Sequence, residues 1–103
     1  MNIEAKTREL LSAQNELFLA RTGSYEELER YFQFSFLGTP AQIALIERGD
    51  ETLIRLYIST FTLDDIAQCL LAQTASKELL LFAAEIRKLE SPKAIQALIE
   101  RAL

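Results

Sequence analysis

The sequence predicts an all-α fold, a single domain over residues 1–103 made of about seven helices in stacked antiparallel hairpins. Three observations carry that prediction. The first is self-similarity at a spacing of 26 to 27 residues. Shifted by 26, AQIALIERGDETLIRLYI (41 to 58) lies over AQCLLAQTASKELLLFAA (67 to 84) without a gap. Ala41 and Gln42 then match Ala67 and Gln68, Leu45 matches Leu71, and Leu53 matches Leu79. ALIER at 44 to 48 returns at 97 to 101, and NELFLAR (15 to 21) lies over residues 42 to 48 at a shift of 27. Units therefore start near 14, 41, 67 and 94. Units that cannot bury their apolar faces alone do so against their neighbours. The second observation is apolar spacing in steps of three, four and seven, the period of a helix with one buried face. The third is punctuation by helix-capping residues at regular intervals.

The first helix is expected over about 3–21, on the stripe Ile3, Leu10, Leu11, Leu17 and Phe18. The second, about 24–37, opens on Ser24 with Glu27, the reciprocal capping box, and carries Leu28, Tyr31, Phe32 and Phe36 on one face. Thr39 with Gln42 opens the third at about 40–48, with Pro40 at a first-turn position where a missing N–H costs nothing. Asp50 opens a fourth at about 50–60, with Leu53, Leu56, Tyr57 and Phe61 as its stripe. Thr62 with Asp65 opens a fifth at about 63–73, and Ser76 a sixth at about 76–89, carrying Leu79, Phe82, Ala83 and Ile86. Ser91-Pro92 opens the last, about 92–102. Gly23, Gly38 and Gly49, the only glycines, are placed where helices end. Glu4–Arg8, Glu26–Arg30 and Glu51–Arg55, each acid four residues before base, mark solvated faces and contribute about 0.2–0.5 kcal/mol apiece.

Composition narrows function mostly by exclusion. Fifteen acids against eleven bases give a net charge of −4. That sign disfavours nucleic acid, whose binding draws on Lys and Arg at phosphates, and an anionic membrane surface. The start MNIEAKTREL lacks the basic and apolar segments of a signal peptide, and no apolar run approaches a membrane span. A single cysteine, Cys69, sits in an apolar run and reads as a buried, inert thiol. A cytoplasmic protein is expected. With no His, the common Ser and Cys triads and mixed His/carboxylate metal sites are excluded, and three separated glycines make no phosphate loop. Asp64 and Asp65 are adjacent carboxylates, but neighbours on a helix diverge by roughly 100° and suit a helix N-terminus better than acid–base chemistry. No enzyme and no cofactor is expected.

The unit AQIALIERGDETLIRLYI resembles a short bacterial helical-hairpin repeat of the form A-x-x-A-L-I-E-R-G-x-x-x-L-I-x-x-Y-I. Ala41, Ala44, Leu45, Ile46, Glu47, Arg48, Gly49, Leu53, Ile54, Tyr57 and Ile58 carry the likeness. More broadly the pattern is similar to α-solenoids of the HEAT and armadillo kind. The close match covers one unit and the ALIER of the last; the unit at 67 to 84 holds Thr74, Ala75 and Ala83 in place of Arg, Gly and Tyr. The resemblance implies a short right-handed stack whose usual role is protein binding, and it transfers no active site.

Four features are candidates for that role. Arg21, Arg48 and Arg101 share one slot of the repeat, and Arg30 and Arg55 a second. Stacking lines such positions up, either as a ladder that grips acidic groups or as cations that meet unpaired helix-end carbonyls. Glu47 and Glu100 repeat beside Arg48 and Arg101 and are accounted for by local pairing or solvation. YFQFSF (31 to 36) holds four aromatics in six residues. Tyr31, Phe32 and Phe36 share a helical face with Leu28, whereas Phe34 falls away from it, so the stretch is either a wide buried face or an aromatic contact for a partner. Finally, ALIERAL at the end of the chain has no second helix of its own, so Leu98, Ile99 and Leu103, with Ile95, are expected to cap the stack or to drive association, most simply as a homodimer. The expected function is a non-enzymatic protein–protein interaction module, with Phe34, Phe36, Arg48, Arg55, Leu98, Ile99 and Leu103 as its contact residues. The alternative is a small acidic inhibitor, an antitoxin or immunity protein that neutralises a basic partner, which a neighbouring gene for such a protein would favour.

Overall fold

Seven helices follow one another in residues 14–102, the part of the chain that the computed structural model describes, with no strand among them. Helix α1 occupies 14–22 there, and α2 spans Tyr25–Phe32. Then come α3 (Thr39–Arg48), α4 (Glu51–Thr60), α5 (Asp65–Thr74), α6 (Lys77–Glu85) and α7 (Pro92–Ala102). The predicted early turns of the first helix, with Ile3, Glu4, Arg8, Leu10 and Leu11, lie outside the described residues, as does Leu103.

Several helix starts are where their short polar side chains place them. Ser24 Oγ accepts the Glu27 N–H at 3.1 Å while Glu27 Oε1 accepts the Ser24 N–H at 3.0 Å, a complete capping box. Those bonds hold the Glu27 carboxyl below its usual range. Asp50 accepts from Thr52 and Leu53, and Ser76 from Leu79. Two starts differ from the sequence reading. The residue that caps α3 is Gly38, with Thr39 already inside the helix, and the residue that caps α5 is Asp64 and not Thr62. The reason is tertiary: the Thr39 hydroxyl donates to the Asp64 carboxylate, so both side chains are spent between helices. Gly38 thus opens a helix instead of ending one. Gly49 does end one, at φ 80°, with its N–H on the Ile46 carbonyl. Gly23 ends α1 for a different reason, since a Cβ there would lie 2.6 Å from the Leu19 carbonyl oxygen.

Helices α2 and α6 stop at Phe32 and Glu85, four or five residues before the predicted ends. The chain leaves the helix to deliver a leucine. Leu37, Leu63 and Leu89 stand 26 residues apart, each buried, each just before α3, α5 or α7. Continuing α2 or α6 would carry Leu37 or Leu89 past the core. At the end of α6 the turn is closed by Lys88 N–H on the Ala83 carbonyl (2.8 Å) and Arg87 N–H on that of Ala84 (3.1 Å). This is the bonding pattern in which the left-handed position usually belongs to glycine, yet it is filled by Arg87 at φ 59°. A side chain in that conformation costs about 1 kcal/mol. Arg87→Gly is therefore expected to raise the stability by up to about 1 kcal/mol, read as a higher urea midpoint at unchanged slope; a lower midpoint would refute the strain.

Consecutive hairpins pack side by side. Helix α3 lies against α5 and α5 against α7, while α2 lies against α4 and α4 against α6, so odd and even helices form two layers. The molecule measures 54 × 26 × 20 Å. Between the layers run matched pairs at the 26-residue spacing, Ala41 and Ala67, Leu45 and Leu71, Leu53 and Leu79, Ile54 and Leu80, all buried. In the even layer, Glu51 ties α4 to α6 by accepting both the Ser76 hydroxyl (2.5 Å) and the Ser76 N–H (2.8 Å), and these bonds depress the Glu51 pKa.

Candidate functional site

A polar bridge recurs from unit to unit and sets where everything else stands. Gln42 Nε2 donates to the Leu37 carbonyl at 2.8 Å, while Gln42 Oε1 accepts the Asp64 N–H at 2.8 Å. Twenty-six residues on, Gln68 Nε2 donates to the Leu63 carbonyl at 2.8 Å, and its Oε1 accepts from Glu90 and Ser91 at 2.8 Å each. Each glutamine is buried, joining the loop before its own helix to the loop before the next odd helix. In the first unit the position holds Glu16, whose carboxylate accepts the Gly38 N–H at 2.6 Å and the Tyr31 hydroxyl at 2.8 Å. The change of residue follows from the partners. Glu16 faces two donors and needs only acceptors, whereas Gln42 and Gln68 face a carbonyl on one side and N–H groups on the other. Ala41-Gln42 and Ala67-Gln68 match in sequence, yet Gln42 is no helix-capping residue and Gln68 has a bridging role that its neighbours in the sequence do not show. The signal was a polar residue recurring inside an apolar unit.

These bridges correct the register of the first unit. Glu16, not Asn15, matches Gln42, a shift of 26 and not 27. Thr22 then stands in the slot of Arg48, and Arg21 does not belong to it. Arg48 Nη1 donates to the Ala20 carbonyl at 3.3 Å, and Arg101 Nη1 to the Ala72 carbonyl at 3.2 Å. Both therefore close the last turn of the preceding helix in their own layer, and in doing so hold adjacent hairpins together. Ile46, the matching position in α3, has its carbonyl taken by the Gly49 N–H, so the Thr74 that replaces arginine in α5 leaves nothing unmet there. Arg55 does not share a slot with Arg30 either. Its guanidinium sits 4.9 Å over the Phe82 ring, joining α4 to α6. Arg48, which stays exposed, and half-buried Arg55 thus each make a contact within the fold, and Arg21 and Arg30 do not line up with them.

The aromatic stretch divides in two. Phe32 and Tyr57 are buried with ring centroids 5.0 Å apart, and Phe61 packs 5.3 Å from Tyr57. Beyond the end of α2, Phe34 is 84% exposed and Phe36 is 65% exposed. The expected shared face of Tyr31, Phe32 and Phe36 does not form, because the chain is no longer helical at Phe36. Phe36 rests at the edge of the buried cluster, 6.3 Å from Phe61. The segment bearing these rings is anchored just beyond them. Tyr57 Oη accepts the Leu37 N–H at 3.2 Å and donates to its carbonyl at 3.4 Å, Gln42 donates to the same carbonyl, and Glu16 holds Gly38. Two large apolar side chains thus project from backbone held by three separate elements.

A second apolar surface lies on α6 and α7, where Leu80, Leu81, Ala84 and Leu98 line a cleft of about 330 Å³ with Lys77 and Arg101 at its rim. Leu98 is half-buried against the core, whereas Ile99 is half exposed. Elsewhere the chemistry is sparse. Cys69 is partly buried, not fully as expected, in a shallow groove with Ile66 and Pro92. Asp65 sits in the first turn of α5 beside Asp64, its cap. Among the described residues no three His, Cys, Asp or Glu side chains are placed to hold a metal, and no helix is long and apolar enough to cross a membrane. Compared with protein families, with characterised proteins and with solved structures, the chain matches none.

Proposed function

We propose that this protein is a non-enzymatic interaction module, a short stack of helical hairpins that presents an aromatic edge to a protein partner. The observation that carries the reading is the exposed pair Phe34 and Phe36 on an anchored, non-helical segment. Large aromatics contribute much contact area for little conformational entropy, and a backbone already held in place lowers the ordering cost of binding. The bridges at 26-residue spacing support a helical-repeat stack of the HEAT or armadillo kind, a scaffold whose rigidity comes from identical joints between neighbours. A cytoplasmic setting suits the single thiol.

Charge indicates the partner. The chain carries −4, and exposed Glu26 and Glu29 stand on α2, the helix that leads into the aromatic segment. A basic protein surface complements that combination, and the acidic-inhibitor reading is its most specific form. A photo-crosslinking residue in place of Phe34 is expected to form one discrete adduct in the native cell, while the same residue at exposed Thr52 forms none. Equal labelling at both positions, or none at Phe34, refutes the assignment. The double variant Phe34→Ser, Phe36→Ser is expected to lose the adduct partner's binding while changing stability by no more than about 1 kcal/mol, since both rings face solvent in the free protein; thermal unfolding separates that outcome from loss of fold.

A further inference from the structure

The face formed by α6 and α7 is built like the interior joints of this molecule but is open. Leu81 is 64% exposed and Ile99 is 50% exposed, with Ala84 and Ile95 exposed beside them. One unit earlier the corresponding positions in α4 and α5 are Arg55, which is half-covered by Phe82, Ile58 and Ala72, both buried. That earlier face is where α6 and α7 dock, since α4 packs on α6 and α5 on α7. The open surface therefore continues an interface the fold already uses twice.

One residue disfavours a further hairpin there. Every earlier odd helix carries a side-chain acceptor, Glu16, Gln42 or Gln68, for the N–H groups of the loop that opens the next odd helix. The first-turn bonds Gln42 N–H to Gly38, Gln68 N–H to Asp64 and Ile95 N–H to Ser91 show that Ile95 holds this slot in α7. Ile95 accepts nothing. A further hairpin docking in the same manner would leave its loop N–H against a hydrocarbon side chain, at the cost of an unpaired buried donor. An apolar face that brings no loop backbone meets no such cost. The same two helices carry both signs, Lys77 and Arg101 with exposed Glu78, Glu85 and Glu100, so a second copy brings acids as well as bases to this face.

We infer that this face is the contact between two copies of the chain, a two-fold dimer in which α6 and α7 of one protomer cover α6 and α7 of its partner. The contact is separate from the aromatic edge and does not depend on it. Light scattering on the full chain is expected to give twice the 11.7 kDa monomer mass, constant as concentration rises. Leu81→Lys and, separately, Ile99→Lys are expected to weaken the dimer by at least about 30-fold, a hot-spot effect, with the helical circular dichroism unchanged because both side chains face solvent within a protomer. Phe34→Ser is expected to stay dimeric. A monomeric wild-type chain overturns the inference. So do both lysine variants remaining fully dimeric, or masses that climb past twice the monomer mass as concentration rises, which report head-to-tail stacking instead. If one lysine variant fails to fold, the other decides. Loss of the Phe34 crosslink with the dimer intact tells against the aromatic edge alone.

Discussion

Gln68→Leu is expected to destabilise the protein by about 3 kcal/mol or more, measured by urea unfolding. The substitution keeps the bulk but removes the partner of three backbone groups at once, the Leu63 carbonyl and the N–H groups of Glu90 and Ser91. Each such group left unpaired in the interior costs about 1–3 kcal/mol, and a domain of this size holds only about 5–15 kcal/mol in total. Gln42→Leu is expected to cost less. It strands one N–H, that of Asp64, while the Leu37 carbonyl keeps the Tyr57 hydroxyl as a donor. Gln68→Glu supplies the acceptor but turns a second carboxylate oxygen toward the Leu63 carbonyl, so it too is expected to destabilise at neutral pH, in contrast to the natural Glu16, which meets only donors. A Gln68→Leu variant within about 1 kcal/mol of wild type would show that the bridge is not a structural joint.

The other large effect belongs to Tyr57. Its side chain is wholly buried, touches the rings of Phe32 and Phe61, and holds the Leu37 backbone. Tyr57→Ala is expected to cost about 3–5 kcal/mol from the cavity and the lost transfer energy together. Tyr57→Phe keeps the packing and loses the hydroxyl, so about 1–2 kcal/mol is expected. Burial pushes the Tyr57 hydroxyl above the usual tyrosine range, with Asp64 and Glu16 adding to the rise against the Leu37 bond that lowers it. A group whose folded pKa is raised contributes stability that is complete below its unfolded value, near 10, and is lost as pH climbs through the folded value. Alkaline titration of stability is therefore expected to fall above pH 10 in the wild type and less steeply in Tyr57→Phe. Tyr31, raised chiefly by burial as well, leaves part of the loss in place. An identical alkaline profile in the two proteins would remove Tyr57 as its source.

Most of the local structure was legible. Ser24 with Glu27, Asp50, Ser76 and Gly49 act as their chemistry predicts, because a cap bonds to backbone only two or three residues away. The ends of α2 and α6 were not legible. Leu37 and Leu89 fit the helical apolar stripe as well as they fit an extended segment that plugs the core, and spacing alone does not separate the two. The aromatic run YFQFSF shares that ambiguity: its spacing fits a helix face, but the helix stops at Phe32, and leaving the helix is what sets Phe34 and Phe36 toward solvent.

From the sequence alone came the helical class and the order of the helices among the described residues, which rest on interactions between near neighbours or on a recurring pattern of apolar residues. The tertiary structure decided which polar residues join the units. Gln42, Gln68, Arg48 and Arg101 reach groups 20 to 30 positions away, and nothing in their local surroundings distinguishes a side chain that bonds a distant loop from one that faces water. It also decided the meaning of the repeated ALIER. Both copies perform one task, closing the preceding helix through arginine, and they differ in the slot before it, where Gln42 offers an acceptor to the next loop and Ile95 offers only hydrocarbon. A one-residue difference of that kind acquires its consequence only when the neighbouring loop is placed against it in space.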